Sequence, residues 1–196
     1  MDILYTYRED TFNCLKYSLR SLKYVNHDKI WVIGDKVPYN VNNIVTEPKE
    51  RYADSNHNFK IGIEAIGKKK VLLMHDDMFL LPNYKPKKYY NGTIEDYPET
   101  GERAEIFRNT LELGINRNYA LHYPMPFIND FEFDYKPISI MCFLGNREGF
   151  ESVKAEDCKS SKPDVKGLPH LLKQPCFSTY QEGEELEGLL QTLYPE

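Results

Sequence analysis

The stretch Val71-Leu72-Leu73-Met74-His75-Asp76-Asp77-Met78-Phe79-Leu80-Leu81 limits what this chain can fold into more than any other: four apolar residues, a polar tip, then four more apolar residues. A run of this kind, preceded by Lys68, Lys69 and Lys70, reads as a buried strand in the middle of a sheet. Two adjacent carboxylates at its exit need a partner. A cation is the natural one, because carboxylate tips that keep open coordination positions suit Mg2+ or Mn2+ and the phosphates these ions carry. Asp76 and Asp77 are therefore candidate metal ligands, with Asp76 also beside a bound diphosphate. The plainer alternative is a strand followed by a solvated acidic turn, and the return of apolar residues at Met78 argues against it.

The elements around this strand alternate. Ile3 to Thr6 is predicted as a strand, and Thr11 to Tyr24 as a helix with Phe12, Leu15, Leu19 and Leu22 on one face and Asp10 or Thr11 as N-cap. Lys29 to Asp35 and Asn43 to Thr46 are two further strands, and residues 56 to 67 a helix closed by Gly67. Such alternation implies an α/β fold with a mainly parallel central sheet flanked by helices. Ligands of these sheets bind beyond the carboxyl ends of the strands, where Tyr7, Arg8, Asp35 and His75-Asp76-Asp77 all fall. The second part is less regular: a Tyr-, Pro- and Lys-rich loop or hairpin over 82–101, a helix over 102–113, an apolar run at 138–144, a mobile loop at 154–166, an extended segment at 175–179 and a closing helix at 184–193.

A length of 196 residues fits a single domain, with 1–81 as its nucleotide and metal half and 82–196 as an acceptor half with mobile loops. The net charge of −5 leaves no global basic field for nucleic acid. Cys14, Cys142, Cys158 and Cys176 contain no CxxC pair, which argues against a zinc site or a disulfide framework and suits a reducing compartment. The amino terminus resembles a strand instead of a signal peptide, and no segment approaches the roughly 18 apolar residues of a membrane span. A cytoplasmic protein is expected.

Several groups could carry chemistry. Arg51, Asn56, Asn58 and Lys60 are expected around a helix start, where free backbone amides favour an anion such as a donor diphosphate; a capped helix end with ordinary surface cations is the alternative. Tyr7 and Asp35 could stack on and hydrogen-bond a nucleobase, or be solvated turn residues. His122, before Tyr123-Pro124-Met125-Pro126, is a candidate base, with Asp130 as a second acid-base group or its orienting partner; a packed loop histidine is the competing reading. His170 could complete a metal shell.

Strand-helix-strand with Asp35 at the second strand end, followed by an apolar strand with a carboxylate tip, resembles the nucleotide-sugar half of GT-A glycosyltransferases. Their DxD motif binds a divalent ion and the donor diphosphate; here His75-Asp76-Asp77 stands in its place. A closer pattern resemblance is to the Stealth-type sugar-phosphate transferases, carried by Ile3-Leu4-Tyr5-Thr6-Tyr7, by Leu15-Lys16-Tyr17-Ser18-Leu19-Arg20-Ser21-Leu22, by Asn56-x-Asn58, by Asp76-Asp77-Met78-Phe79-Leu80 and by His122-Tyr123-Pro124-Met125-Pro126, in family order over about the first 135 residues.

The resemblance implies a Mg2+- or Mn2+-dependent transferase acting on a nucleotide-sugar donor. The UDP preference comes from Asp35 as acceptor of a pyrimidine imide N–H. The acceptor stays open among glycan, protein and modified DNA. Sugar-1-phosphate transfer, with Arg147 as a clamp, is a second expectation, and an inactive nucleotide- or carbohydrate-binding module a third.

Overall fold

The computed structural model describes residues 1–9, 13–49, 51–67, 70–84, 88–90, 92–93, 95, 108, 111–112, 118–119, 125–128, 150–152, 172–173, 176–178 and 184–196. In chain order the elements are β1 (Asp2–Tyr7), α1 (Cys14–Ser21) running into a 3-10 turn at Leu22–Tyr24, β2 (Ile30–Gly34), β3 (Asn42–Val45), α2 (Arg51–Ile66), β4 (Lys70–Met74) and β5 (Met78–Leu80). They continue with β6 (Lys88–Tyr90), β7 (Gly92–Thr93), β8 (Asn118–Tyr119), β9 (Met125–Ile128), β10 (Phe150–Ser152), β11 (Cys176–Ser178) and α3 (Glu184–Leu193).

The central sheet has the order β3-β2-β1-β4-β9. The first four strands run parallel, with Tyr5 level with Val32 on one side and with Met74 on the other. β9 closes the edge antiparallel to β4, and its Pro126 lies opposite Leu72. An edge is where a strand proline fits, since it has no N–H to give to a further neighbour. The protein is thus α/β with a mainly parallel sheet, as the alternation of elements predicts. All six residues of β1 are buried, as are Val71 to Met74 of β4, which is why these two strands lack polar alternation.

Helices cover both faces. A Cβ on Gly62 would lie 2.5 Å from Leu4 Cδ1, so the glycine sets how closely α2 approaches β1. The next residue, Tyr5, points to the opposite face and bonds Ser18 of α1.

Two helix starts differ from expectation. Asn13, not Asp10 or Thr11, caps α1: its side chain accepts from the Lys16 amide at 3.3 Å and from the Tyr39 hydroxyl at 2.9 Å. α2 begins at Arg51, five residues before the predicted start, because its buried side opens with Asp54 and Asn58, which leave no apolar period to see. Its end is as predicted, with Gly67 at φ 62° and its amide donating to Ile63 O.

The closing segment packs behind this frame. β11 pairs antiparallel with β5, and the Phe79 and Phe177 rings stack at 4.9 Å. Tyr194 stacks on Phe79 at 6.2 Å and donates its hydroxyl to Leu80 O at 2.7 Å. With Cys14, Tyr17, Leu186, Leu189 and Leu190 these rings form a second core, so part of 82–196 completes the layer around α1 and β5. Of the helix expected over 102–113, Arg108, Leu111 and Glu112 are helical. The apolar run at 138–144 and the loop at 154–166 lie outside the described residues. Among the described residues no helix is long and apolar enough to cross a membrane.

Candidate functional site

The order of strands fixes where a ligand can enter. From β1 the chain moves outward through β2 and β3, then α2 carries it back to β4 on the other side of β1. The crevice created by such a reversal opens at the carboxyl ends of the two strands that flank it, here β1 and β4. His75-Asp76-Asp77 leaves β4 at this point. The Met78 amide donates to His75 O at 3.1 Å, so Asp76 and Asp77 occupy the middle of a tight turn, and both are half-buried. His75 Nδ1 lies 3.4 Å from Thr6 Oγ1 on β1. Burial pushes the His75 imidazole down to about 4, so it is neutral at neutral pH.

The metal reading can be tested on the donor set. Among the described residues no group of three or more His, Cys, Asp and Glu side chains is gathered to hold an ion. Two carboxylates in one turn suit Mg2+ or Mn2+, which keep water and phosphate oxygens in their remaining positions, and do not suit zinc. The oxygen donors of Asp76 and Asp77 are of the kind a hard divalent cation takes.

A second cluster lies beyond β1, at the ends of β2 and β3. Arg8 donates Nε to Asp54 Oδ2 at 2.9 Å and Nη2 to Asp54 Oδ1 at 2.6 Å, a bidentate pair. Its Nη1 bonds Asp35 Oδ1 at 2.8 Å and Thr46 O at 2.9 Å, and Nη2 also meets Thr46 Oγ1 and Glu47 O. All five guanidinium N–H groups are engaged. The expected contact from Arg8 to a donor gives way to another role: it ties the ends of β1, β2 and β3 to the first turn of α2.

Asp54, absent from the candidate donor contacts, is the buried anchor of this cluster and also accepts from the Lys49 amide at 2.9 Å. Asn58, expected at the ligand, is 1% exposed; it donates to Asp54 Oδ2 and accepts from the Thr46 hydroxyl. The Tyr7 ring is also in the core, so it offers no stacking surface at the sheet edge. Gly34, at φ 138°, lets β1 and β2 converge here, since a Cβ would fall 1.8 Å from Tyr7 O.

Asp35 retains acceptor capacity. Its side chain is 33% exposed, with one oxygen on Arg8 and the other on the Glu9 amide at 2.8 Å, and a carboxylate has further lone pairs to offer. Burial acts to raise this carboxyl, but the Glu9 amide and then Arg8 outweigh it and hold it below the usual value. Lys60 is exposed on α2, and Arg51 and Asn56 lie in the same helix; only Arg51 is at its amino end. Burial first, then the charge of Lys49, lowers the pKa of the half-buried His57, with Arg8 and Lys60 acting the same way against Asp54. His122, Asp130, Arg147 and His170 lie outside the described residues.

The fold is α/β, with the Asp76-Asp77 turn at the point where the strand order reverses. The chain matches no protein-family model and no curated protein.

Proposed function

We propose that this protein is a metal-dependent glycosyltransferase of GT-A type, moving a sugar from a nucleoside-diphosphate donor to an acceptor hydroxyl. The observation that carries the reading is the position of Asp76 and Asp77, together in one turn at the mouth of the crevice between β1 and β4. These carboxylates would hold Mg2+ or Mn2+, which when bound neutralises the charge gathering on the departing diphosphate. Arg51, at the amino end of α2, adds positive charge, and Lys60 lies further along the same helix. Asp35 offers the acceptor for a uracil imide N–H. His122 takes the acceptor proton, with Asp130 as its partner or substitute; Arg147 is a further donor contact and His170 a further metal ligand, as the sequence suggests.

Calorimetry with UDP and Mn2+ tests the site. Binding is expected with the ion present and is expected to vanish in excess chelator; equal affinity in chelator would refute the metal site. In a thermal-shift panel of nucleotide sugars, the uridine donors should raise the melting temperature most, since a ligand at about 100 times its Kd stabilises the folded state by about 2.7 kcal/mol. A larger shift with guanosine or cytidine donors would remove the uridine assignment alone.

Sugar-1-phosphate transfer is the second reading. Two of the stretches that resemble Stealth-type enzymes, 15–22 and 76–80, are bonded directly to each other through Ser18 to Met78 O and Ser21 to the Leu80 amide. The products distinguish the two reactions: sugar transfer releases nucleoside diphosphate, and sugar-phosphate transfer releases nucleoside monophosphate.

A further inference from the structure

The turn that carries Asp76 and Asp77 is held from behind by hydroxyl groups. Ser18 and Ser21 are three residues apart on α1, hence on one face of the helix, and both are fully buried. Ser18 Oγ donates to Met78 O at 2.5 Å; Ser21 Oγ donates to Ser18 O at 2.6 Å and accepts from the Leu80 amide at 3.0 Å. Tyr194 bonds Leu80 O on this edge. The opposite edge of β5 pairs with β11. Side-chain hydroxyls thus take the place of a neighbouring strand along the edge that faces α1.

Proton counting orients the chain of bonds. Ser18 has one hydroxyl proton and gives it to Met78 O, so the 2.9 Å contact between Tyr5 and Ser18 is made by the Tyr5 proton. The order is Tyr5 Oη to Ser18 Oγ to Met78 O, and Met78 is the residue at which the Asp76-Asp77 turn closes. Burial, helped by the charge of Asp76, raises the pKa of the Tyr5 hydroxyl although Ser18 opposes it, so this group keeps its proton at neutral pH.

We propose that Ser18, braced by Tyr5, is a positioning residue that fixes the Asp76-Asp77 turn for cation binding. The proposal rests on the glycosyltransferase reading for its ligand. An ion held by two carboxylates from one turn depends on the placement of that turn, and groups behind such ligands commonly change affinity by tenfold or more. Without the Ser18 hydroxyl, Met78 O loses its bond and Tyr5 keeps only the weaker acceptor Met74 Sδ at 3.6 Å, while both carboxylates remain.

The test compares the Kd for UDP in the presence of Mn2+ among wild type, Ser18→Ala, Tyr5→Phe and Ile63→Val, at a temperature where all are folded. Ile63→Val lowers stability from a core position on α2 and controls for stability alone. Ser18→Ala is expected to weaken binding by about tenfold and Tyr5→Phe by about threefold, with Ile63→Val unchanged. Wild-type affinity in folded Ser18→Ala would overturn the positioning role and leave the functional reading standing. Absence of Mn2+-dependent UDP binding in wild type would overturn the functional reading, and the positioning role with it. Should Ser18→Ala fail to fold, Tyr5→Phe decides: weaker binding supports the brace and unchanged binding overturns it.

Discussion

Asp77→Asn should abolish Mn2+-dependent UDP binding and lower turnover by about three orders of magnitude, the scale of losing charge stabilisation at a developing phosphate. The melting temperature should hold or rise slightly. Asn has nearly the same shape as Asp and is at home in a tight turn, and the substitution removes one of two neighbouring negative charges that repel each other without a cation. Calorimetry and a thermal melt on one preparation measure both quantities. A variant that unfolds would make the pair a structural feature of the turn, and a folded variant that still binds with Mn2+ would move the ion elsewhere.

Arg8→Met has the largest expected effect on stability: a loss of about 3 kcal/mol, at the lower end for breaking a buried ion pair because Arg8 is 25% and Asp35 33% exposed. The cost arises mainly at Asp54, left as a carboxylate with an 8% exposed side chain and no guanidinium. Arg8→Lys should recover only part of the loss, since an ammonium cannot satisfy two carboxylates and the backbone acceptors of Thr46 and Glu47 together. Urea unfolding measures both variants.

The pH dependence has a definite sign. Asp35 is held below its unfolded value, so its contribution is full above about pH 4 and is lost as pH falls through the folded value. Asp54 above all, aided by Asp35 and opposed by burial, raises the Arg8 pKa, so nothing is lost on this account toward neutral or mildly basic pH. The gap between wild type and Arg8→Met should therefore narrow in acid and stay constant from pH 5 to 9. A gap that persists at pH 2 would mean that Arg8 acts by packing alone.

Apolar patterning was readable wherever a strand is buried on both faces. Ile3 to Thr6 and Val71 to Met74 carry no polar alternation because helices cover both sides of β1 and β4 lies inside the sheet. Gly67 was readable as a helix end because a positive φ suits little else. The start of α2 was not: Asp54 and Asn58 face inward and are stabilised by hydrogen bonds, so that turn resembles a polar loop. Ser18 and Ser21 could be matched to a pattern, yet their purpose depends on β5, about sixty residues further along.

The sequence by itself determined which residues lie at the carboxyl edge of the sheet, because strand direction and length follow from local patterning. It placed Arg8, Asp35 and the Asp76-Asp77 turn there. Only the tertiary structure decided what each of them faces. Arg8, Asp35 and Asp54 are brought together from separate elements, and their charges and hydrogen bonds serve one another first, so the guanidinium expected at the ligand edge is a clasp between strands. Asp76 and Asp77 sit beside the crevice because α2 returns the chain to the far side of β1, an outcome of packing across the sheet that no local run of residues encodes.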